Sequence, residues 1–176
     1  IHTGSILSAN EDAPFTDKAV AYINDLRDLG VWQMGICYGH QVVCRALLGA
    51  EAVRPSPKGF EVGWEEVNFT TKAIQMLKVR STEKVWQHHF DEVVQMPEGS
   101  ELLAMNSHSE VQAYVNFNQH LLGTQFHPEF NKISGDKYFR DDKLFIEKQG
   151  FNVDEMVKQS PSFDTTKVFF EFFLGH

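Results

Sequence analysis

One cysteine stands between two glycines at the end of an apolar run. The run is Val31–Ile36, and residues Gly35–Gly39 follow the G-x-nucleophile-x-G pattern of a tight strand-to-helix turn. Glycines on both sides of Cys37 let the strand and the helix approach closely, and the turn lifts the thiol off the sheet. A helix N-terminus also favours the thiolate, which is the nucleophilic form. The pattern therefore predicts a nucleophile, although taken alone it also fits a packed core thiol.

A histidine that could serve as the base follows a later apolar run. His127 comes directly after the run 120–126, and strand ends carry the active sites of open α/β sheets. Pro128 fixes the chain between His127 and Glu129, so that the two side chains can share a face. Glu129 could then accept a hydrogen bond from the imidazole and hold its tautomer. Considered apart from Cys37, these residues are better explained as a surface turn.

The first fifty residues alternate between helical and strand-like patterns. Apolar side chains at helical spacing predict a helix over 17–29, with Thr16 as its N-cap and Gly30 as its stop. Residues 31–36 predict a strand, and 38–49 predict a second helix. This alternation predicts a parallel sheet with helices on both faces.

The rest of the chain is predominantly strand-like and ends in a helix. Alternation over 111–117 followed by Asn118-Gln119 predicts a hairpin, and the aromatic residues of the polar stretch 131–161 predict a packed segment rather than a linker. The remaining expected elements are strands over 1–5, 59–69, 83–90, 101–106 and 120–126, a short helix or turn over 71–79, and a helix over 163–176.

Composition excludes several classes of protein. The net charge of −8 comes with 16 scattered basic residues, which argues against a nucleic-acid-binding surface. No segment approaches the roughly 18 apolar residues of a membrane span, so we expect no membrane partner. Cys37 and Cys44 are too close in sequence for a structural bridge and too few for a metal framework. We therefore expect a reducing, cytoplasmic location.

Taken together, the motifs resemble those of the class I glutamine amidotransferase family, which carries a Cys-His-Glu triad. TGS at 3–5 is similar to the family's oxyanion loop, GFEVGW at 59–64 to its G-x-E-x-G segment, and HHFDEV at 88–93 to its H-x-D-x-V stretch. The resemblance implies an α/β fold of three αβα layers, flavodoxin-like, with a mostly parallel sheet and a nucleophile elbow. It implies one domain over 1–176 that lacks the family's first strand and helix.

The resemblance also implies roles for individual residues. Cys37 would be the nucleophile, His127 the general acid and base, and Glu129 the orienting carboxylate. The backbone N–H groups of Gly4 and Tyr38 would form the oxyanion hole. The residues implied to bind the substrate are Gln41, Phe90, Asp91 and Glu61.

The implied activity is hydrolysis of the glutamine side-chain amide through a cysteinyl thioester. Glutamate and ammonia would be released, and a separate synthetase or acceptor subunit would use the ammonia. No cofactor and no metal are expected. A freestanding γ-glutamyl hydrolase or peptidase is the alternative, because the same site could serve it. A non-catalytic or redox-sensing relative is a third hypothesis, against which Glu129 counts, since a sensor needs no orienting carboxylate.

Overall fold

A six-stranded sheet with helices on both faces forms the body of the protein, which a computed structural model describes over residues 1–176. The helices are α1 (Pro14–Asp28), α2 (Tyr38–Leu48), α3 (Thr71–Leu77), α4 (Lys132–Asp141), α5 (Lys143–Lys148), α6 (Val153–Met156) and α7 (Thr165–Leu174), with a short 3-10 helix at Ala50–Ala52. The strands are β1 (Gln33–Ile36), β2 (Val53–Pro55), β3 (Glu61–Phe69), β4 (Thr82–His89), β5 (Asp91–Val93), β6 (Glu101–Met105), β7 (Ala113–Asn116) and β8 (Leu121–Thr124). None of the helices has both the length and the apolar character needed to cross a bilayer.

The main sheet has the order β1-β8-β7-β6-β3-β4 and is mixed. Only β1 and β8 pair in parallel, whereas every other neighbouring pair is antiparallel. The expectation of a mostly parallel sheet is therefore wrong for this chain. The reason is connection length, because a loop of a few residues, such as that between β7 and β8, can join only antiparallel neighbours. Strands β2 and β5 form a separate antiparallel pair.

Side chains of the sheet alternate between two apolar clusters, one on each face. Tyr114 and Leu121 point into the cluster that contains residues of α1 and α2. Val115 and Leu122, their neighbours in sequence, point into the cluster that contains residues of α3 and α7. This period-two alternation confirms the expected three layers of helix, sheet and helix.

The N-terminal part of the chain differs from expectation in two places. Helix α1 begins at Pro14 rather than after Thr16, because proline suits the first helical position. Thr16 instead lies buried and accepts a hydrogen bond from the Tyr38 hydroxyl (3.1 Å). The strand expected over 1–5 is reduced to His2, whose N–H donates to the Met34 carbonyl (2.8 Å).

The polar stretch 131–161 is a packed segment, as its aromatic residues predicted. It forms α4, α5 and α6, whose buried side chains Phe139, Ile146 and Val153 share an apolar cluster with Trp64 and Trp86. Because those tryptophans belong to β3 and β4, the segment covers this end of the sheet. The packing brings α4 and α5 next to the C-terminal end of β4.

Candidate active site

The turn that carries Cys37 is as tight as the glycine pattern predicts. Cys37 lies between β1 and α2 with φ 52° and ψ −108°, a conformation that non-glycine residues rarely adopt. A Cβ on Gly35 would lie 2.6 Å from the Gly39 carbonyl carbon. A Cβ on Gly39 would collide with the His2 carbonyl oxygen. Both glycines are therefore required for the close approach of strand, helix and N-terminal segment.

His127 and Glu129 form a hydrogen-bonded pair next to the thiol. The Nδ1–H of His127 donates to Glu129 Oε1 over 2.7 Å, and the pair follows directly after β8. Burial alone would lower the pKa of His127, but the charge of Cys37, and then Glu129, raises it to about 10. The imidazolium form is thus favoured beside Cys37 at neutral pH, as in other cysteine–histidine nucleophiles.

Two residues whose backbone N–H groups are implied by the resemblance to form an oxyanion hole lie beside the thiol. The Tyr38 N–H belongs to the first residue of α2 and has no acceptor within the helix. Gly4 sits against the histidine and the thiol, because a Cβ there would lie 2.9 Å from His127 Cε1 and 3.8 Å from Cys37 Cβ. The Cys37 N–H is not available, since it donates to the Thr124 carbonyl (2.8 Å). The arrangement can therefore stabilise negative charge on a carbonyl oxygen attacked by Cys37.

Most of the residues singled out by sequence line one cavity of about 670 Å³. This size is typical of small-molecule sites, which span roughly 300–1,000 Å³. The predicted site residues that line it are Gly4, Cys37, Tyr38, Gln41, Phe90, Asp91, His127 and Glu129. We call this cavity the cleft.

Gln41 and Asp91 are already engaged with other protein groups. The Gln41 side-chain NH₂ donates to the Asp91 carbonyl (2.9 Å) and to Gln125 Oε1 (3.1 Å). The Asp91 carboxylate accepts a hydrogen bond from the Ser8 hydroxyl. Gln41 therefore holds the segment after β4 against α2, and Asp91 ties the end of the loop 3–8 to that segment.

Glu61 does not line the cleft, although the resemblance implies that it contacts the substrate. Its Oε2 accepts hydrogen bonds from His89 Nε2–H (2.8 Å) and Gln112 Nε2–H (2.9 Å), and its Oε1 accepts from Asn106. Burial alone would raise the pKa of Glu61, but the hydrogen bond and charge of His89 lower it overall. Because His89 Nδ1–H donates to the Asp91 carbonyl (2.9 Å), Glu61 positions the cleft-lining segment through His89.

Glu61, His89 and His108 also have the composition of a metal site, and their ligand atoms lie within 4.8 Å of one another. The Glu61 carboxylate already accepts hydrogen bonds from His89, Gln112 and Asn106. A metal ion would have to displace those donors. The arrangement is therefore a hydrogen-bonded cluster, which we call the Glu61 network, and we assign no metal to it.

On the activity that the resemblance implies, replacing Glu61 with glutamine is expected to raise KM about tenfold, with a smaller fall in kcat, because the network positions the segment that lines the cleft rather than the reacting atoms. The loss of a buried charged acceptor should also lower the free energy of unfolding by about 1–3 kcal/mol. Steady-state kinetics and denaturant unfolding measure the two effects. Glu66→Gln removes the same charge from an exposed position of the same strand and should change neither. An unaltered KM in the Glu61 variant would contradict the positioning role.

Several residues of the cleft were not recognised in the sequence. They are Trp86, His88, Tyr138, Asp142 and Phe145. Tyr138, Asp142 and Phe145 come from the stretch 131–161, where no spacing pattern indicates chemistry. Their approach to β4 arises only from the packing of α4 and α5.

Comparison with known proteins agrees with the geometry. The sequence model of the glutamine amidotransferase class-I family matches residues 4–146. A glutamine-hydrolysing GMP synthase subunit of Sulfolobus acidocaldarius is 38% identical over 104 residues, which are 59% of this chain and 54% of that protein. The glutamine-hydrolysing GMP synthase of Clostridium kluyveri is 30% identical over 142 residues, which are 81% of this chain and 27% of that protein. The chain thus matches about half, or less, of the length of these relatives.

Solved structures share the fold. A glutamine amidotransferase from Thermotoga maritima superposes with a TM-score of 0.76 at 22% identity, over 88% of this chain and 66% of that one. A glutamine amidotransferase from Methylobacillus flagellatus superposes with a TM-score of 0.69 at 25% identity, over 80% of this chain and 55% of that one. The expected flavodoxin-like amidotransferase fold is confirmed, apart from the mixed pairing of its sheet. With a family match over most of its length, the chain belongs to the class I glutamine amidotransferases, a family of glutamine-hydrolysing enzymes.

Proposed function

We propose that residues 1–176 form one amidotransferase domain that hydrolyses the side-chain amide of glutamine through a cysteinyl thioester and releases ammonia for an acceptor on another chain. The observation that carries the proposal is the convergence of Cys37 and the His127–Glu129 pair beside the backbone of Gly4 and Tyr38. Membership of the family supports glutamine as the substrate.

The first half of the reaction makes the thioester. The Cys37 thiolate adds to the γ-carbonyl carbon, and the N–H groups of Gly4 and Tyr38 hold the oxyanion, each contributing about 2.7–4 kcal/mol in comparable sites. The tetrahedral intermediate then collapses, the C–N bond breaks, and His127 gives its proton to the departing ammonia. Burial lowers the pKa of His127, but before the addition the charge of Cys37 raises it to about 10, so the proton is in place at neutral pH. Once the sulfur is bound to carbon this charge is gone, and the imidazolium gives up its proton more readily.

The second half of the reaction releases glutamate. His127, now neutral, takes a proton from a water molecule, which adds to the thioester carbon. The C–S bond breaks, and the Cys37 thiolate and the His127 imidazolium are restored. Glu129 remains hydrogen-bonded to Nδ1 throughout, and it therefore keeps Nε2 directed at the reacting atoms.

The acceptor of ammonia is proposed to lie on a separate synthetase chain. The support comes from the Sulfolobus relative, which is named as one subunit of a GMP synthase, while the Clostridium relative is a GMP synthase that this chain matches over 27% of its length. Both relatives are named as glutamine-hydrolysing GMP synthases, which supports a synthetase chain as the acceptor.

Assay of the purified chain with glutamine tests the proposal. Glutamate and ammonia are expected in equal amounts, slowly from the chain alone and faster when a synthetase partner is added. Equal amounts are required because each thioester releases one of each. Folded protein that releases neither product, with or without a partner, would overturn the proposed function.

A further inference from the structure

The cleft offers more room than glutamine requires. Its volume of about 670 Å³ is suited to ligands considerably larger than an amino acid. His127 gives its proton to the leaving nitrogen, so any substituent on that nitrogen must extend along the residues beside His127. Those residues therefore determine which leaving groups fit.

Aromatic rings form a continuous wall that starts at His127. The Trp86 ring meets the imidazole edge-to-face at 5.0 Å between centroids, and the Phe130 ring lies at 5.6 Å. The Tyr138 ring continues the wall, 5.2 Å from Trp86 and 5.7 Å from Phe130. His88 and Phe139 stack on Trp86, which is buried. A substituent on the leaving nitrogen would thus pass along the rings of Phe130 and Tyr138, and aromatic rings attract apolar and cationic groups.

Asp142 lies where this wall ends. Its Oδ2 accepts a hydrogen bond from His88 Nε2–H (3.1 Å), and His88 packs against Tyr138 at 5.5 Å. One third of the Asp142 side chain is exposed, and His88 is its sole ion-pair partner. Burial lowers the pKa of His88, so the imidazole is neutral at physiological pH and adds no positive charge beside Asp142.

Asp142 and the nucleophile belong to the same cavity. Cys37, Tyr138 and Asp142 all line the cleft. Burial raises the pKa of Tyr138, and the charges of Asp142 and Cys37 raise it further.

The charges that line the cleft have one sign. Its carboxylates are Asp91, Glu129 and Asp142, and no lysine or arginine lines it. Asp91 is hydrogen-bonded to Ser8, and Glu129 to His127. Glu129 Oε2 accepts no hydrogen bond but is buried. Asp142, one third of whose side chain is exposed, is thus the carboxylate that a substituent on the leaving-group side can reach. A negatively charged substituent there would meet repulsion, whereas a cation would meet a carboxylate and aromatic faces.

We propose that this cleft accepts, besides glutamine, γ-glutamyl amides whose leaving amine carries a second, positively charged group, with Asp142 as the specificity-determining residue. The inference rests on the proposed function, because the same nucleophile is used. The Cys37 thiolate adds to the γ-carbonyl carbon, the C–N bond breaks, and the nitrogen takes the proton of His127 and leaves as the free amine. Water then hydrolyses the thioester, so that one amide and one water yield glutamate and one amine.

Three γ-glutamyl amides of similar length test the proposal, made with butylamine, 1,4-diaminobutane and 4-aminobutyrate. Their leaving amines end in a neutral, a cationic and an anionic group. The kcat/KM is expected to be highest for the diaminobutane amide and at least about tenfold lower for the aminobutyrate amide. Asp142→Asn should reduce the preference for the cationic over the neutral amide by about tenfold. Asp141→Asn removes the same charge at the adjacent, exposed position and should keep the preference.

Failure of this inference can be told apart from failure of the proposed function. A wild-type protein that hydrolyses glutamine but shows no preference for the cationic amide would overturn the inference alone. Full retention of the preference in Asp142→Asn would do the same. A folded protein that forms no acyl-enzyme at Cys37 with any of these compounds would overturn both. Circular dichroism and acylation by glutamine confirm that the Asp142 variant is folded and carries a working nucleophile.

Discussion

Replacement of Cys37 with serine is expected to reduce glutamine hydrolysis by at least roughly a thousandfold. Serine has the size of cysteine and fits the strained turn at φ 52°, so the fold should survive. Its hydroxyl does not ionise beside His127 as a thiol does, and the raised pKa of that histidine depends on the charge at position 37. Ammonia release measures the loss, and intact-protein mass spectrometry measures the thioester, which should be absent.

Cys44 provides the matched control for this experiment. It lies two turns further along α2, is completely buried and donates a hydrogen bond to the Tyr114 hydroxyl. Burial raises the pKa of this thiol to about 12, so it does not form a thiolate at neutral pH. Cys44→Ser should therefore retain nearly all activity. A glutamine-like electrophile that labels Cys44 instead of Cys37 would show that the nucleophile had been assigned to the wrong thiol.

The second large effect is expected for His127→Ala, which should lower kcat/KM by about 10²–10⁴-fold. The variant loses the proton donor for ammonia, the base for water and the cation next to Cys37. Steady-state assays give the rate, and the pH dependence of Cys37 alkylation reports the loss of the cation. Alkylation should become slower at neutral pH and recover under alkaline conditions.

His176 gives a matched control for this variant. It is exposed at the end of the chain, where its ring bonds to the Phe172 carbonyl. His176→Ala should therefore leave both the rate and the alkylation profile unchanged. If His127→Ala retained a rate within tenfold of the original, another group would have to serve as the base.

The proposed catalytic set could be predicted because its geometry is encoded locally. The glycines around Cys37 specify the turn whatever surrounds it, and one proline sets the distance between His127 and Glu129. The hydrogen-bond partners of Glu61 could not be predicted. A position in a strand indicates which residues share a face of the sheet, but it does not identify the side chains that pack against that face. His89 and Gln112, which donate to Glu61, come from other parts of the chain.

The sequence contains opposing signals for the direction of strand pairing. Asn118-Gln119 predicts a hairpin, and each such hairpin excludes a parallel pair. The alternation of helix and strand over the first fifty residues favours a parallel sheet, although only β1 and β8 pair in parallel. Tyr138 and Asp142 carry no local signature at all, because they reach the cleft through the packing of Phe139 and Ile146 against β3 and β4.

The loop that carries Gly4 is held by hydrogen bonds at both of its ends. At one end, the His2 N–H donates to the Met34 carbonyl and the His2 carbonyl accepts from the Ile36 N–H, both in β1. At the other end, the Ser8 hydroxyl donates to the Asp91 carboxylate. Because both ends of this short loop are hydrogen-bonded, a large displacement of Gly4 requires that the hydrogen bond at Ser8 break. A ligand that occupies the Asp91 carboxylate would displace the Ser8 hydroxyl and release that end of the loop. The position of Gly4, the proposed oxyanion donor, is thereby linked to the segment proposed to bind the substrate, because one hydrogen bond holds both in place.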